Sequence, residues 1–340
     1  MNNILANIYP MVSVVIPTYN RPLLFKEALD SVLAQDYPNI DIFITDNSPN
    51  DLTENLMESY LEKYPNIKYE HHPDFSEEKN WIRAKEYDNP EAEYVNWLMD
   101  DDLFMTNKIS VMVGEFLRNP DVTLVTSNRT LINLEGKTIL FDEKDVAGNV
   151  IPFAGFVKED MKISGKEAGK RIIMDSSNWF GVNFIGEPTT ALVKKSAMLN
   201  NTLGYKNNFD KYFISDYPTW LKVLSSGNLI YLKEPLSKFR IHPGQGQRTL
   251  FIKTKLFFMI AKAIKYAHDD GYYLENWDEI RKTYETFIKW ALEMVDLFDE
   301  DEACAKEKDV ARRMIIAYVE ALFNNGKLDL PSELFEKVKA

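Results

Sequence analysis

Three consecutive carboxylates, Asp100, Asp101 and Asp102, directly follow the apolar stretch Tyr94 to Met99. Carboxylates side by side at the end of a buried strand repel one another and raise the cost of folding, so such a run calls for a compensating cation. Oxygen ligands of this kind suit a hard divalent ion, Mg2+ or Mn2+, bridging to a diphosphate. A second reading stands beside it: aspartate favours loops and helix N-termini, and the run precedes a helical segment that it would cap. Two further polar clusters, Thr18 to Arg21 and Asp46 to Asp51, also follow short apolar runs.

Composition narrows the partners. The 340-residue chain has a formal net charge of −12, which opposes binding to a polynucleotide backbone, where a cationic face is needed. An anionic small molecule then requires a local cation, either basic side chains or a metal held by carboxylates. The single cysteine, Cys304, excludes an intramolecular disulfide and a multi-cysteine zinc site and suits a reducing compartment. Met1 to Tyr9 lacks the basic head and apolar run of a secretory signal. Apolar stretches such as Leu256 to Ile260 are too short to span a bilayer. A cytoplasmic protein is expected, free or peripheral to the inner face of the membrane, and a homo-oligomer is compatible with the sequence.

The elements that must position these clusters alternate. A strand over Val12 to Ile16 ends at Pro17, and a helix beginning at Pro22 places Leu24, Ala28, Leu29, Val32 and Leu33 on one face. A strand over Ile40 to Thr45, a helix through Leu52, Leu56, Tyr60 and Leu61, a strand over Ile67 to Glu70, a helix from Ser76 to Tyr87, a strand from Tyr94 to Met99 and a helix after Thr106 follow. That order predicts an α/β fold, a mainly parallel sheet flanked by helices, with ligands beyond the carboxyl ends of the strands. All three polar clusters lie at such ends. Beyond Val122 to Thr126 the pattern is irregular, with turns at Glu135-Gly136 and Ala147 to Asn149 and a strand over Leu229 to Leu232. From Thr249 the chain reads as helical, so a domain over 1–248 with a helical appendage over 249–340 is expected. Within it, Phe251 to His268 is amphipathic and suits packing on protein or, less simply, a membrane surface.

The segments Val12 to Arg21, Ala28 to Asn39 and Thr45 to Asp51, with the acidic run after them, resemble the family 2 glycosyltransferases, whose nucleotide-diphospho-sugar transferase fold is called GT-A. The resemblance covers about the first 245 residues, and the run occupies the place of that family's DxD motif. It implies an inverting transferase that uses a nucleotide-sugar, by family habit a UDP-sugar, and a Mn2+ or Mg2+ ion. By the same resemblance Pro17, Thr18, Tyr19, Asn20 and Arg21 border the base and ribose, and Asp46 accepts a hydrogen bond from the base. Asn80 and Arg83 belong to a helix behind the diphosphate and ribose. Asp101 is the metal ligand, with Asp100 near ribose or the metal's water shell and Asp102 a supporting carboxylate toward the sugar. The chain departs from the family pattern at Asp46-Asn47-Ser48-Pro49, where many members carry Asp-Asp-Gly-Ser, and at Met99, where many carry the first aspartate of Asp-x-Asp-Asp.

Downstream, Phe213 to Leu221 reproduces the context of the family's catalytic acid, which implies that Asp216 takes the proton from the acceptor hydroxyl. An N-cap two residues before Pro218 is the competing reading, and Asp210 is the alternative carboxylate. Glu187, in Gly186 to Thr190, either holds a sugar hydroxyl or belongs to a turn stabilised by Pro188. Phe239 to Gln245 resembles a loop over the diphosphate, in which Arg240 meets phosphate and His242 completes the metal's coordination. The remaining histidines, His71, His72 and His268, carry no comparable context. The acceptor is expected to be a sugar, a lipid-linked or a protein hydroxyl, as in surface polysaccharide or glycoconjugate synthesis. The alternative to an enzyme is a binding or scaffold module that kept the fold and lost turnover. A dinucleotide-dependent oxidoreductase is disfavoured because Pro17 to Arg21 stands where a glycine fingerprint would be.

Overall fold

The computed structural model describes residues 9–139, 157–178, 185–198 and 216–242, with isolated positions between 273 and 286. These residues fall into two compact units. The first holds the entire described sheet, and the second begins within a helix at Gly169 and takes in the isolated positions. The expected appendage over 249–340, with Phe251 to His268, His268 and Cys304, lies outside the described residues apart from those positions.

Along the chain, β1 (Met11–Thr18), α1 (Pro22–Leu33), β2 (Ile40–Asp46), α2 (Leu52–Lys63), β3 (Ile67–His71), α3 (Glu77–Glu86) and β4 (Ala92–Trp97) follow the predicted alternation. Then come β5 (Leu103–Phe104), α4 (Lys108–Arg118), β6 (Val122–Ile132), β7 (Met161–Ile163), α5 (Gly165–Asn178), β8 (Leu192–Lys194), α6 (Lys195–Met198), α7 (Asp216–Leu224) and β9 (Asn228–Arg240). The sheet order is β3-β2-β1-β4-β8-β6-β9-β5, with β7 also paired to β9. Strands β1 to β4 are mutually parallel where they pair, as are β6 and β9, while β5, β7 and β8 run antiparallel to their neighbours.

Apolar side chains on both faces explain why these strands read as continuous hydrophobic runs. Val12, Val14 and Ile16 join Ile42 and Ile44 in the main core under Phe25, Ala28, Leu29 and Val32 of α1 and Ile109, Met112, Val113 and Phe116 of α4. Strand alternation turns Phe43 to the other face, where it stacks on Tyr87 at 4.1 Å and carries Arg83 over its ring. Pro22 sits in the first turn of α1, and Ser76 caps α3 by accepting from the Lys79 amide.

Registration brings the strand ends level. Thr18 lies opposite Asp46, and Asp46 opposite His71, so the first two polar clusters share one edge. The acidic run does not cap a helix: the two-residue strand β5 follows it, and α4 starts only after Asn107. A second difference concerns β9. The segment around Phe239 and Arg240 is strand, not loop, because β6 pairs along one side to Ile132↔Arg240 and β5 along the other at Leu103↔Lys238. The register between β6 and β9 shifts between Ser127 and Arg129, and that irregularity accommodates Pro235.

Candidate active site

The turn between β1 and α1 is shaped by Asn20, whose φ of 51° is left-handed, a conformation asparagine tolerates better than most residues. Its amide donates to Ser48 Oγ at 2.7 Å, which ties the first strand-end loop to the second. The turn then aims donors at the acidic run. Thr18 Oγ1 donates to Asp100 Oδ2 at 2.9 Å and the Tyr19 amide to the same oxygen at 3.2 Å. Arg21 reaches both Asp100 Oδ1 at 3.3 Å and Asp101 Oδ2 at 3.1 Å.

Asp101 Oδ2 also faces His242 Nε2 at 3.0 Å. Asp102 is fully buried: its Oδ2 accepts from Thr189 Oγ1 at 2.7 Å and its Oδ1 from the Arg240 amide at 2.9 Å. Burial, and after it the Asp101 charge, push the Asp100 carboxyl up to about 6, and the same two causes raise Asp102 well above the usual carboxylate range. Carboxylates held in this way favour any cation that enters among them.

The donor set fits a hard divalent ion at Asp101 and His242. Adjacent ligands of an octahedral ion with bonds of roughly 2.1 Å lie roughly 3 Å apart, and 3.0 Å is the separation of Asp101 Oδ2 and His242 Nε2. The family resemblance implied a metal role for both residues, and the fold brings them into contact across 141 positions. Among the described residues, a group of three metal-capable side chains is formed by Asp51 and Glu54 at the start of α2 and His71 at the end of β3, with the two acids exposed and His71 Nε2 already against Ser48 O at 2.9 Å.

Several predicted residues reach the site only through others. Asp46 is fully buried, its Oδ1 taken by the amide and hydroxyl of Ser48 in an Asx turn and its Oδ2 by Tyr69 Oη at 2.8 Å. Asn80 donates to the Thr18 and Thr45 carbonyls at 3.3 and 3.1 Å and so braces both loops from behind. Arg83 forms a two-point pair with Glu70, at 2.7 and 2.6 Å. Pro17 is buried within β1 opposite Thr45.

Arg240, expected to face phosphate from a loop, is instead fully buried at the end of β9. Its Nε donates to the Asp101 carbonyl at 2.7 Å, Nη1 to the carbonyls of Asn133 and Leu134 at 3.1 and 2.6 Å, and Nη2 to Glu27 Oε2 at 2.6 Å. Asp216 opens helix α7; its side chain, like Asp210 and residues 243–245, lies outside the described residues.

Glu187 precedes the 3-10 turn Pro188–Thr190, whose Thr189 holds Asp102, and pairs with the buried Arg129 at 2.9 Å. Thr189, Arg129 and Glu27 were not foreseen as site residues; the only trace of Arg129 in the sequence is a cation inside an otherwise uncharged strand. Gly186 makes this turn available. Its φ is +100°, and a Cβ there would stand 2.3 Å from Thr190 Oγ1 and 3.0 Å from Arg129 Nη1. Gly186→Ala is therefore expected to cost about 1–3 kcal/mol of stability, read as a lowered midpoint in thermal unfolding.

Comparison with known proteins shows the family and the fold. The profile of glycosyl transferase family 2 matches residues 13–164. An uncharacterized glycosyltransferase of Rickettsia typhi is 30% identical over 244 residues, 71% of this chain and 67% of its own length. The chain belongs to glycosyl transferase family 2. Family relatives can be much longer: one from Rickettsia felis matches 72% of this chain and only 36% of itself. Solved structures share the GT-A fold. S. aureus TarS 1–349 in complex with UDP-GlcNAc aligns over 91% of this chain and 81% of its own, with a TM-score of 0.60 at 15% identity. The mannosyltransferase PcManGT from Pyrobaculum calidifontis, in complex with GDP-Man and Mn2+, aligns over 97% and 86%, with a TM-score of 0.50 at 15% identity. No helix among the described residues is long and apolar enough to cross a membrane.

Proposed function

We propose that this family 2 chain transfers a sugar from a UDP-sugar to an acceptor hydroxyl with inversion, using a divalent ion at Asp101 and His242 and Asp216 as general base. The contact of Asp101 with His242 at the carboxyl ends of the strands, beside the Thr18 to Arg21 turn, carries this reading. The UDP-GlcNAc complex of TarS supports the donor class, and the Mn2+ complex of PcManGT supports the ion.

Residues 1–248 form the catalytic domain in this reading. The turn from Thr18 to Arg21 borders the nucleotide, while Asp46, Asn80 and Arg240 act through the neighbours they hold. Mn2+ or Mg2+ supplies Lewis-acid stabilisation of the departing diphosphate. Glu187 and Asp102, linked through Thr189, stand on the sugar side. Asp216 accepts the proton of the attacking hydroxyl, offered by a surface polysaccharide or glycoconjugate.

Two experiments test the proposal. Incubation with UDP-, GDP- and dTDP-sugars and Mn2+ is expected to release nucleoside diphosphate from the UDP-sugars first, and failure to turn over any donor in the panel, with sugar acceptors present, would count against an enzyme. Asp216→Asn should lower kcat about a hundredfold, the lower end of what general-base catalysis supplies, with the donor KM nearly unchanged. An unaltered kcat would move the base elsewhere.

A further inference from the structure

We infer that Arg21 is a built-in competitor of a divalent ion at Asp101: its guanidinium holds the carboxylate oxygen that also faces His242, and an ion takes that place by displacing it. The inference rests on the metal-site reading above and adds to it a competitor built into the chain.

The observation is that one oxygen has two donors. Asp101 Oδ2 lies 3.1 Å from Arg21 Nη1 and 3.0 Å from His242 Nε2. A carboxylate oxygen offers two lone-pair directions, so both are engaged. Arg21 is also 3.3 Å from Asp100 Oδ1, and its single positive charge partly offsets two carboxylates that the fold holds together. An ion bridging Asp101 and His242 would need the place where these donors converge, would meet the guanidinium's repulsion, and would take Nε2 in the tautomer whose proton sits on Nδ1.

Arg21 is well placed to leave. Its side chain is 32% exposed, against 11% for each of the two aspartates, so it enters from the mouth of the site and not from its floor. It follows the left-handed Asn20 and stands at the N-cap of α1. Once displaced, its charge sits at the rim, where a diphosphate would receive it in a charge-assisted pair. Ion and nucleotide then favour each other's binding, because each makes Arg21 easier to release from Asp101.

The test is a Mn2+ titration of the full chain without nucleotide, followed by electron paramagnetic resonance of the free ion. Arg21→Gln is expected to bind Mn2+ about tenfold more tightly than the wild-type chain, a size set by like-charge repulsion at a partly screened distance. Arg21→Lys, which keeps the charge, should stay within about threefold of wild type. Arg21→Ala replaces the glutamine variant should that one melt early. A neutral variant that binds Mn2+ no more tightly than wild type, including the case in which neither binds detectably, overturns the inference. Asp101→Asn separates the two ideas. Loss of Mn2+ binding in that variant keeps the site where it is placed, whereas unchanged binding refutes the metal-site reading itself.

Discussion

Asp101→Asn is expected to lower kcat/KM for the nucleotide-sugar about a thousandfold, equivalent to about 4 kcal/mol of transition-state stabilisation. The substitution keeps the size of the side chain and removes its charge. Asp101 meets Arg21 and His242 through the same oxygen, and an amide oxygen can still accept from either, so the local packing survives. What disappears, on the proposed reading, is the anionic ligand that would hold a divalent ion beside the departing diphosphate. Steady-state kinetics over a range of Mn2+ concentrations, with a thermal melt to show that the fold is intact, reads the effect. A loss smaller than tenfold would remove Asp101 from the centre of the site.

Arg240→Met should destabilise the protein by about 2–4 kcal/mol, the cost of removing a buried cation and its hydrogen bonds to carbonyls, since its acidic partner Glu27 is half exposed and stays solvated. Arg240 is fully buried and donates to the carbonyls of Asp101, Asn133 and Leu134 and to Glu27. Methionine fills part of the volume but removes that donor from three carbonyls, of which the one of buried Asp101 is the hardest for water to serve. For a chain of 340 residues the loss lowers the unfolding midpoint by roughly 3–6 °C. Thermal or urea unfolding measures it, and a change below about 1 kcal/mol would show that the network is dispensable. Arg240→Lys should recover little, since one ammonium cannot span the same acceptors.

The contrast between these two residues shows what the sequence reveals. The place of Asp101 at a strand end was legible because its signal is local: an apolar strand ends, and carboxylates follow where a parallel sheet presents its ligands. The Thr18 and Asp46 clusters were placed at the same edge by the same rule, and β1 through β4 follow from their apolar runs. Arg240 was misplaced because its environment comes from afar. Its contacts lie 139 residues away at Asp101 and 213 away at Glu27, and its strand extends past Pro235 only because β5 and β6 pair with it on both sides. Strand β5 has two residues, too short for any periodicity. Arg83 was expected behind the diphosphate and ribose, and Glu70 on the neighbouring strand claims it with both oxygens. Spacing within a segment predicted elements and strand ends; which partner a buried cation finds depends on pairings the local sequence does not encode.

The metal–diphosphate site is tested most directly by crystals of the full chain grown with UDP and Mn2+ and measured at the manganese absorption edge. The account predicts an anomalous peak roughly 2.0–2.3 Å from Asp101 Oδ2 and His242 Nε2, in contact with the diphosphate. A peak at another position, such as the Asp51, Glu54 and His71 group, with none at Asp101, would contradict it.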